Sequence, residues 1–372
     1  MQRTLFDDSH ERFRADVRRF FENDVLPSYS QWYVEGRPPR RFWKEAARVG
    51  VLGIGVPERW GGLAGSTFRH SAVVSEEAQR AGLALGGVRV HTDICMPYLL
   101  RFGNADQIAT WVPRLTAGDA VVALALSEPG VGSDLKAMTT RAVRDGDHYV
   151  VNGAKTFISN GAAADLVLLA VKTTPGAGRK GISLLLVEAD TPGFIRGRKL
   201  AKLGLPTQDL AELSFTDMRV PIGNLLGEQD GGFGYLTSNL AQERLSIAVS
   251  AQAAAAAVLE KTIAAMSTDP GQSAKFDLAT SQAEVAAGQT LIDSAIAALE
   301  AECLSPADAA LAKLFSTEMQ GRVNQRCVDL LGYDGIRPDC FVGQSLLDGR
   351  VTRIFGGSSE IMRVLIAQSL EL

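Results

Sequence analysis

The hydrophobic pattern changes period twice along the chain. Up to about residue 118, apolar positions recur at three- and four-residue intervals. Phe13, Val17, Phe20 and Phe21 share one helical face, with charges between them. Phe42 to Val49 repeats that habit, and the spacing predicts further helices over 71–83, 92–102 and 105–115. Asn104 and Asp106 supply capping chemistry for the last of these. Near Gly118 short apolar runs and alternation take over. Val121 to Ser127 reads as a strand. Thr140 to Arg144 and His148 to Val151 flank Asp145-Gly146-Asp147, a hairpin signal. Asn152-Gly153 predicts a turn into a separate strand, Lys155 to Ser159. Residues 165–172 and 182–188 are buried-type strands, and Ala211 to Phe215 precedes an edge-strand ending at Val220-Pro221. From Gly231 onward the helical period returns. Long Ala- and Leu-rich helices over about 235–266, 278–302 and 306–331 suit antiparallel packing in a bundle.

The pattern therefore divides the chain into an N-terminal helical domain (1–118), a middle β domain (119–225) and a C-terminal helical bundle (226–372), an α+β architecture. A chain of 372 residues is long enough for that division. A net charge of -4 gives no electrostatic case for nucleic acid or an anionic membrane. No uninterrupted apolar run approaches the ~20 residues that span a bilayer, and no signal peptide is expected at the N-terminus. Cys95, Cys303, Cys327 and Cys340 are scattered, as are His10, His70, His91 and His148. That scatter argues against a zinc site and a His-based triad, and fits reduced thiols in the cytoplasm.

Candidate chemistry begins where the first strand ends, in Leu124-Ala125-Leu126-Ser127-Glu128-Pro129-Gly130-Val131-Gly132-Ser133-Asp134. Pro129, Gly130 and Gly132 interrupt a regular ladder. The glycines allow positive φ and close approach of another molecule, and free N–H groups there can nest an anion. The plainer alternative is a polar turn closing a strand.

This loop resembles the S-E-P-G-x-G-S-D signature of the acyl-CoA dehydrogenase family. The resemblance continues in Pro57-Glu58-Arg59-Trp60-Gly61-Gly62, in Gly153-Ala154-Lys155-Thr156-Phe157-Ile158-Ser159-Asn160-Gly161, and in Gly357-Ser358-Ser359-Glu360-Ile361. It implies a helical domain, a β-barrel or sandwich and a C-terminal four-helix bundle. It also implies an FAD-dependent enzyme of lipid and fatty acid metabolism that desaturates acyl thioesters between the α and β carbons. Electrons would leave through an electron-transfer flavoprotein, and the assembly would be a homo- or hetero-oligomer, a dimer or homotetramer.

That reaction needs a base for the α proton, a hydride acceptor over the β carbon and donors for the thioester oxygen. Side chains do not accept hydride, so a cofactor is obligatory. Many family members carry the base just before the glycine of the terminal motif, but here that position is Gly356. Branched- and long-chain relatives carry a helix-borne Glu-Arg pair instead, which Leu240-Ala241-Gln242-Glu243-Arg244 resembles. Glu243 is thus the expected base, its pKa raised by burial beside an apolar chain and flavin. A generic Glu-Arg pair is a solvated helix face. By resemblance, Leu124, Ala125, Leu126, Ser127, Gly132 and Ser133 line the flavin, with Ser133 reaching its phosphate or the thioester's pantetheine. Phe157, Ile158 and Ser159 occupy the family's W-I-T position, although a strand Phe is more often core. Gly356 N–H would hold the thioester carbonyl, with Gly357 and Ala241 against the substrate. Ser358, Ser359 and Glu360 would approach the flavin. Arg244 would sit at the substrate's mouth or brace Glu243.

Two motifs depart from the family. Where an R-x-F-G motif grips a neighbouring subunit's flavin pyrophosphate, this chain has Ser267-Thr268-Asp269-Pro270-Gly271-Gln272-Ser273. Where Q-x-x-G-G-x-G is usual, it has Asp329-Leu330-Leu331-Gly332-Tyr333-Asp334-Gly335, with Asp329 and Gly332 the candidates for cofactor contact. One lost charge-assisted contact costs about 1.5–3 kcal/mol, roughly ten- to hundredfold in affinity. Pairing with a different subunit that supplies the missing contacts is one alternative. An oxidase or monooxygenase on the same fold, or a structural subunit completing a partner's site, are others. Acyl length, and coenzyme A against acyl carrier protein, stay open.

Overall fold

The computed structural model describes residues 3–266, 269–337 and 339–372. Helices α1 (Asp8–Phe20), α2 (Leu26–Glu35), α3 (Arg40–Arg48), α4 (Phe68–Ala81), α5 (Gly86–Arg89), α6 (Met96–Phe102) and α7 (Ala105–Thr116) build the N-terminal layer. The stripe on α1 buries Phe13, Val17 and Phe20 among Trp32, Phe42 and Trp43. No helix was expected at α2, which continues α1 through a π turn over 21–25 and carries a proline in its first turn. A second π turn, Val90–Cys95, runs α5 into α6. Asn104 caps α7 by accepting from Gln107 N, in line with the sequence.

Strands β1 (Val122–Ala125), β2 (Arg141–Asp145), β3 (His148–Ser159), β4 (Leu166–Lys172), β5 (Ile182–Glu188), β6 (Phe194–Lys199), β7 (Leu210–Pro221) and β8 (Leu225–Leu226) form one mixed sheet. Its order is β6-β7-β3-β2-β4-β5-β8, with β1 parallel to β4. Val151, Leu169, Leu185 and Phe215 from distant strands meet in one core, so the sheet curls around that face. The other face packs Leu166, Leu168 and Leu184 against Tyr98 and Trp111 of the helical layer. Asn152-Gly153 is not a turn. β3 runs through it with a bulge opposite β7, because the ladder to β7 continues on both sides. β6 is an exposed, Arg- and Lys-bearing edge strand, which is why no apolar run announced it.

Helices α8 (Gly232–Ala265), α9 (Gln272–Glu300), α10 (Pro306–Leu331), α11 (Phe341–Gly349) and α12 (Ser359–Ser369) form the C-terminal bundle. By length and composition α8 could cross a membrane, contrary to the count of unbroken apolar runs. Yet 67% of its most apolar window is buried inside the protein, where it packs against α4, α9 and α10. The four cysteines are free thiols. Among the described residues no cluster of His, Cys, Asp or Glu suits a metal ion.

Candidate active site

The site starts where β1 leaves the sheet. Thr156 N donates to Ser127 O at 2.9 Å and Lys155 Nζ to Leu126 O at 3.0 Å, so the end of β1 lies beside the second half of β3. Lys155 also pairs with Glu128 at 2.9 Å, and both side chains are buried. Glu128 accepts further from Thr139 N and Thr140 N. Burial works against its ionisation, but Thr140, Lys155 and Thr139 outweigh it and hold the carboxyl down to about 2. Burial pulls the Lys155 ammonium down to about 8 against the attraction of Glu128. The loop closes through paired bonds between Glu128 and Val131. Those bonds occupy two of the N–H groups that an anion nest would need. Gly130 and Gly132 differ from expectation, since neither has positive φ. What they provide is open space, with nothing within 4 Å of where a Cβ would stand.

On this edge Leu124, Leu126 and Ser127 are half-buried, and Gly132 and Ser133 are exposed. Ala125 and Ile158 point into the β core, so their side chains are unavailable to a ligand and only their backbones can contribute. Phe157 is 64% exposed between buried neighbours, with φ at 59°. A left-handed, outward aromatic on a buried strand is costly, and it excludes the core reading for this residue. Ser159 Oγ accepts from Gln208 Nε2 at 2.9 Å.

Facing this edge is α8. Glu243 is 7% exposed, which rules out a solvated helix face. Its Oε1 accepts from Tyr98 Oη at 2.5 Å. Burial pushes the carboxyl up to about 7, against the lowering effects of Tyr98, Asn239 and Arg244. Glu243 shares a cavity of about 220 Å³ with Tyr98, Leu126, Ser133, Arg179 and Leu240, so carboxylate and loop meet in space. Arg244 is 6% exposed and therefore lies inside rather than at a mouth. Its Nε is buried without a partner, and burial lowers its pKa. One turn past Glu243, Ile247 Cδ1 would stand 2.3 Å from a Cβ at Gly356, whose φ is +64°. The backbone angle opposes a side chain at 356, and one placed there would have to displace the tip of Ile247.

Gly357, at φ +94°, follows in the same turn. Ser358 caps α12 by accepting from Ile361 N. Ser359 is buried and donates to Glu318 Oε1 at 2.6 Å, so its hydroxyl is engaged inside the bundle rather than free for a cofactor. Glu360 is exposed on the first turn of α12, and Ala241 is half-buried on α8. Asp329 is exposed and bonds Gln325. It follows Lys313, which touches the Gly357 turn, by 16 residues on α10, about 24 Å of helix. Asp329 and Gly332 are thus remote from Glu243 within one chain. Of the departed R-x-F-G stretch, Ser267 and Thr268 lie outside the described residues, and Asp269 is paired with Lys275 at 2.7 Å.

An aromatic held outward, hydroxyls along a strand edge, room beside the loop backbone and an unpartnered Arg244 Nε together fit a planar, polar-edged cofactor. A mixed sheet with such an edge, set against a bundle carrying a buried carboxylate of raised pKa, defines an oxidoreductase of helical–β–helical build. Family models described as acyl-CoA dehydrogenase N-terminal, middle and C-terminal domains match residues 7–119, 123–218 and 230–371. The chain belongs to the acyl-CoA dehydrogenase family. It is 38% identical to the mitochondrial long-chain specific acyl-CoA dehydrogenase of Sus scrofa, covering 99% of this chain and 88% of the relative. The crystal structure of an acyl-CoA dehydrogenase from Geobacillus kaustophilus superposes with a TM-score of 0.97 at 40% identity, covering 100% of both chains. A glutaryl-CoA dehydrogenase from Mycobacterium smegmatis, solved in complex with FADH2, superposes at 0.90 with 29% identity, covering 98% of this chain and 95% of that one.

Several residues of the site escaped the sequence reading. Tyr98 sits in an apolar helix and carries no local signal. Lys313 looks like any lysine of an Ala-rich helix. Glu128 and Lys155 lie inside recognised motifs, and their opposite charges near one strand edge were the available clue.

Proposed function

We propose that this protein removes one hydrogen each from the α and β carbons of an acyl thioester, with Glu243 as the base and FAD as cofactor. The observation that carries the reading is a buried carboxylate of raised pKa in the same cavity as the loop after β1, beside a turn whose Gly356 carries no side chain and has a left-handed backbone angle. Bound FAD supplies the hydride acceptor that no side chain can be. Leu124 to Ser127, Gly132, Ser133 and Phe157 to Ser159 would hold it from one side, with Ser358 and Glu360 near its far end. Gly356 N–H would donate to the thioester oxygen while Glu243 takes the α proton, and Arg244 would brace the carboxylate. Exposed Lys136 and Arg179 line the same cavity as Glu243. Their charge suits the phosphates of a coenzyme A or phosphopantetheine carrier. The reading includes an electron-transfer flavoprotein as electron acceptor and a cytoplasmic location, with which four free thiols agree.

The test is Glu243→Gln. Turnover of an acyl thioester, read by bleaching of flavin absorbance, should fall by roughly 10²–10⁴-fold with bound flavin unchanged. Wild-type turnover in the variant would refute the assignment. We also infer an oligomer, a tetramer, in which another subunit completes the pyrophosphate end of the flavin site. Asp269 and Asp329, exposed carboxylates where phosphate contacts are usual, favour a non-identical partner. Full flavin occupancy in the protein purified alone would exclude the non-identical partner and leave the homotetramer.

A further inference from the structure

Lys313 is 0% exposed. Its ammonium makes one hydrogen bond among the described residues, to the carbonyl oxygen of Gly357. Among the described residues no carboxylate pairs with it within 4 Å. Glu318, on its own helix, attracts it from farther away, but that carboxylate is already occupied by Ser359 at 2.6 Å and faces Arg353 at 3.5 Å. From α8, Arg244 repels it. A Cβ on Gly356 would lie 3.9 Å from Lys313 Cε. Burying an ammonium against one carbonyl and beside a second cation is unfavourable unless something at the site needs the charge.

The turn it grips has two consecutive glycines. Gly356 and Gly357 both have positive φ, and glycines retain most freedom when unfolded. A turn of two glycines therefore needs an external anchor if its N–H is to stay aimed to a fraction of an ångström.

We propose that Lys313 is a positioning residue for α-proton removal: it pins the Gly356–Gly357 turn so that Gly356 N–H meets the thioester oxygen, and with Arg244 it supplies positive potential where that oxygen gains charge. The inference rests on the dehydrogenase reading above. The charge balance explains the arrangement. The α C–H bond breaks, its proton passes to Glu243, and the electron pair becomes an enolate with negative charge on the thioester oxygen. One unit of negative charge thus leaves the α8 carboxylate and appears beside the turn. Burial and Arg244 pull the Lys313 ammonium down to about 8, so below that pH two buried cations favour the move.

The experiment isolates this step with a 3-thia-acyl coenzyme A thioester. Its sulfur replaces the β carbon, so it can lose the α proton but cannot deliver hydride. The resulting enolate, lying against oxidised flavin, is read as a long-wavelength absorbance band titrated against pH. Lys313→Met should bind flavin in the wild-type ratio and keep KM within about threefold. Its kcat should fall tenfold or more, and the midpoint of the band should move up by about one pH unit. Lys313→Arg should restore part of both. If the Met variant does not fold, Lys313→Gln, which keeps a donor without the charge, should show the same upward midpoint. An unshifted midpoint with wild-type kcat in a folded Met or Gln variant overturns the proposal alone. If no acyl thioester bleaches the wild type and no thia-acyl band forms, the dehydrogenase reading falls, and this proposal with it.

Discussion

Removing the hydroxyl of Tyr98 gives the sharpest test of how Glu243 is tuned. Tyr98 Oη donates to Glu243 Oε1 at 2.5 Å in a fully buried contact. Burial sets the carboxyl near 7, and the tyrosine works in the opposite direction by stabilising the ionised form. A hydrogen bond to a charged group is worth about 1.5–3 kcal/mol, and one pH unit is about 1.4 kcal/mol. Tyr98→Phe should therefore raise the midpoint by about one to two units. A base acts only when ionised, so with Glu243 in that proposed role kcat/KM should climb with pH through this midpoint. At pH 7 a one-unit rise takes the ionised fraction from about one half to about one tenth, a roughly fivefold loss that should recover by pH 9–10. The assay is kcat/KM for one acyl thioester across pH 5.5–10, with flavin content checked at each end (~ range set by the midpoint). A midpoint that stays put or moves down refutes this account of the carboxylate. A loss equal at every pH would mean that Tyr98 orients the group rather than tunes it.

Other consequences are simpler to read. Phe157→Ala should weaken FAD binding two- to tenfold, from loss of about 0.5–1.5 kcal/mol of stacking, while the thermal stability of the apoprotein barely changes because the ring is 64% exposed. Flavin titration and calorimetry check both halves. Lys155→Met strands Glu128 in the interior and should cost about 3–5 kcal/mol in urea unfolding, with Glu128→Gln added in the same chain restoring part. Because Glu128 is held down to about 2 in the fold, its contribution is complete above its ordinary range. It should fade as pH falls through about 2, which acid titration of stability can follow. Gly356→Ala should cost about 1–2 kcal/mol for the left-handed angle and lower kcat. Trimming Ile247 to Val, which removes the crowding Cδ1, should cost less in that background than it does in the wild type.

The division into helical, β and helical regions was legible because long amphipathic periods and strand alternation are local properties. The loop 124–134 and the pair Glu243-Arg244 were legible as motifs. What they do depends on contacts that no local window contains. Tyr98 and Glu243 are 145 positions apart. Ile247, which makes Gly356 intelligible, appears in sequence as one more apolar helix residue. Asn152-Gly153 misled because a bulge and a turn share the same residues, and only the ladder to β7 distinguishes them. Phe157 could be assigned to core or ligand only once its backbone angle was known. Gly130 and Gly132 were expected to take special φ values, but what they provide is vacant space beside the loop.

The crowding between Ile247 and Gly356 bears on how this scaffold can change over time. A side chain introduced at 356 would adopt a left-handed backbone angle and would have to displace the tip of Ile247, so it enters at a strain cost. If Glu243 is the proton acceptor, moving that role from α8 to the turn would mean losing one carboxylate and gaining another, and trimming the tip of Ile247 would ease the second change.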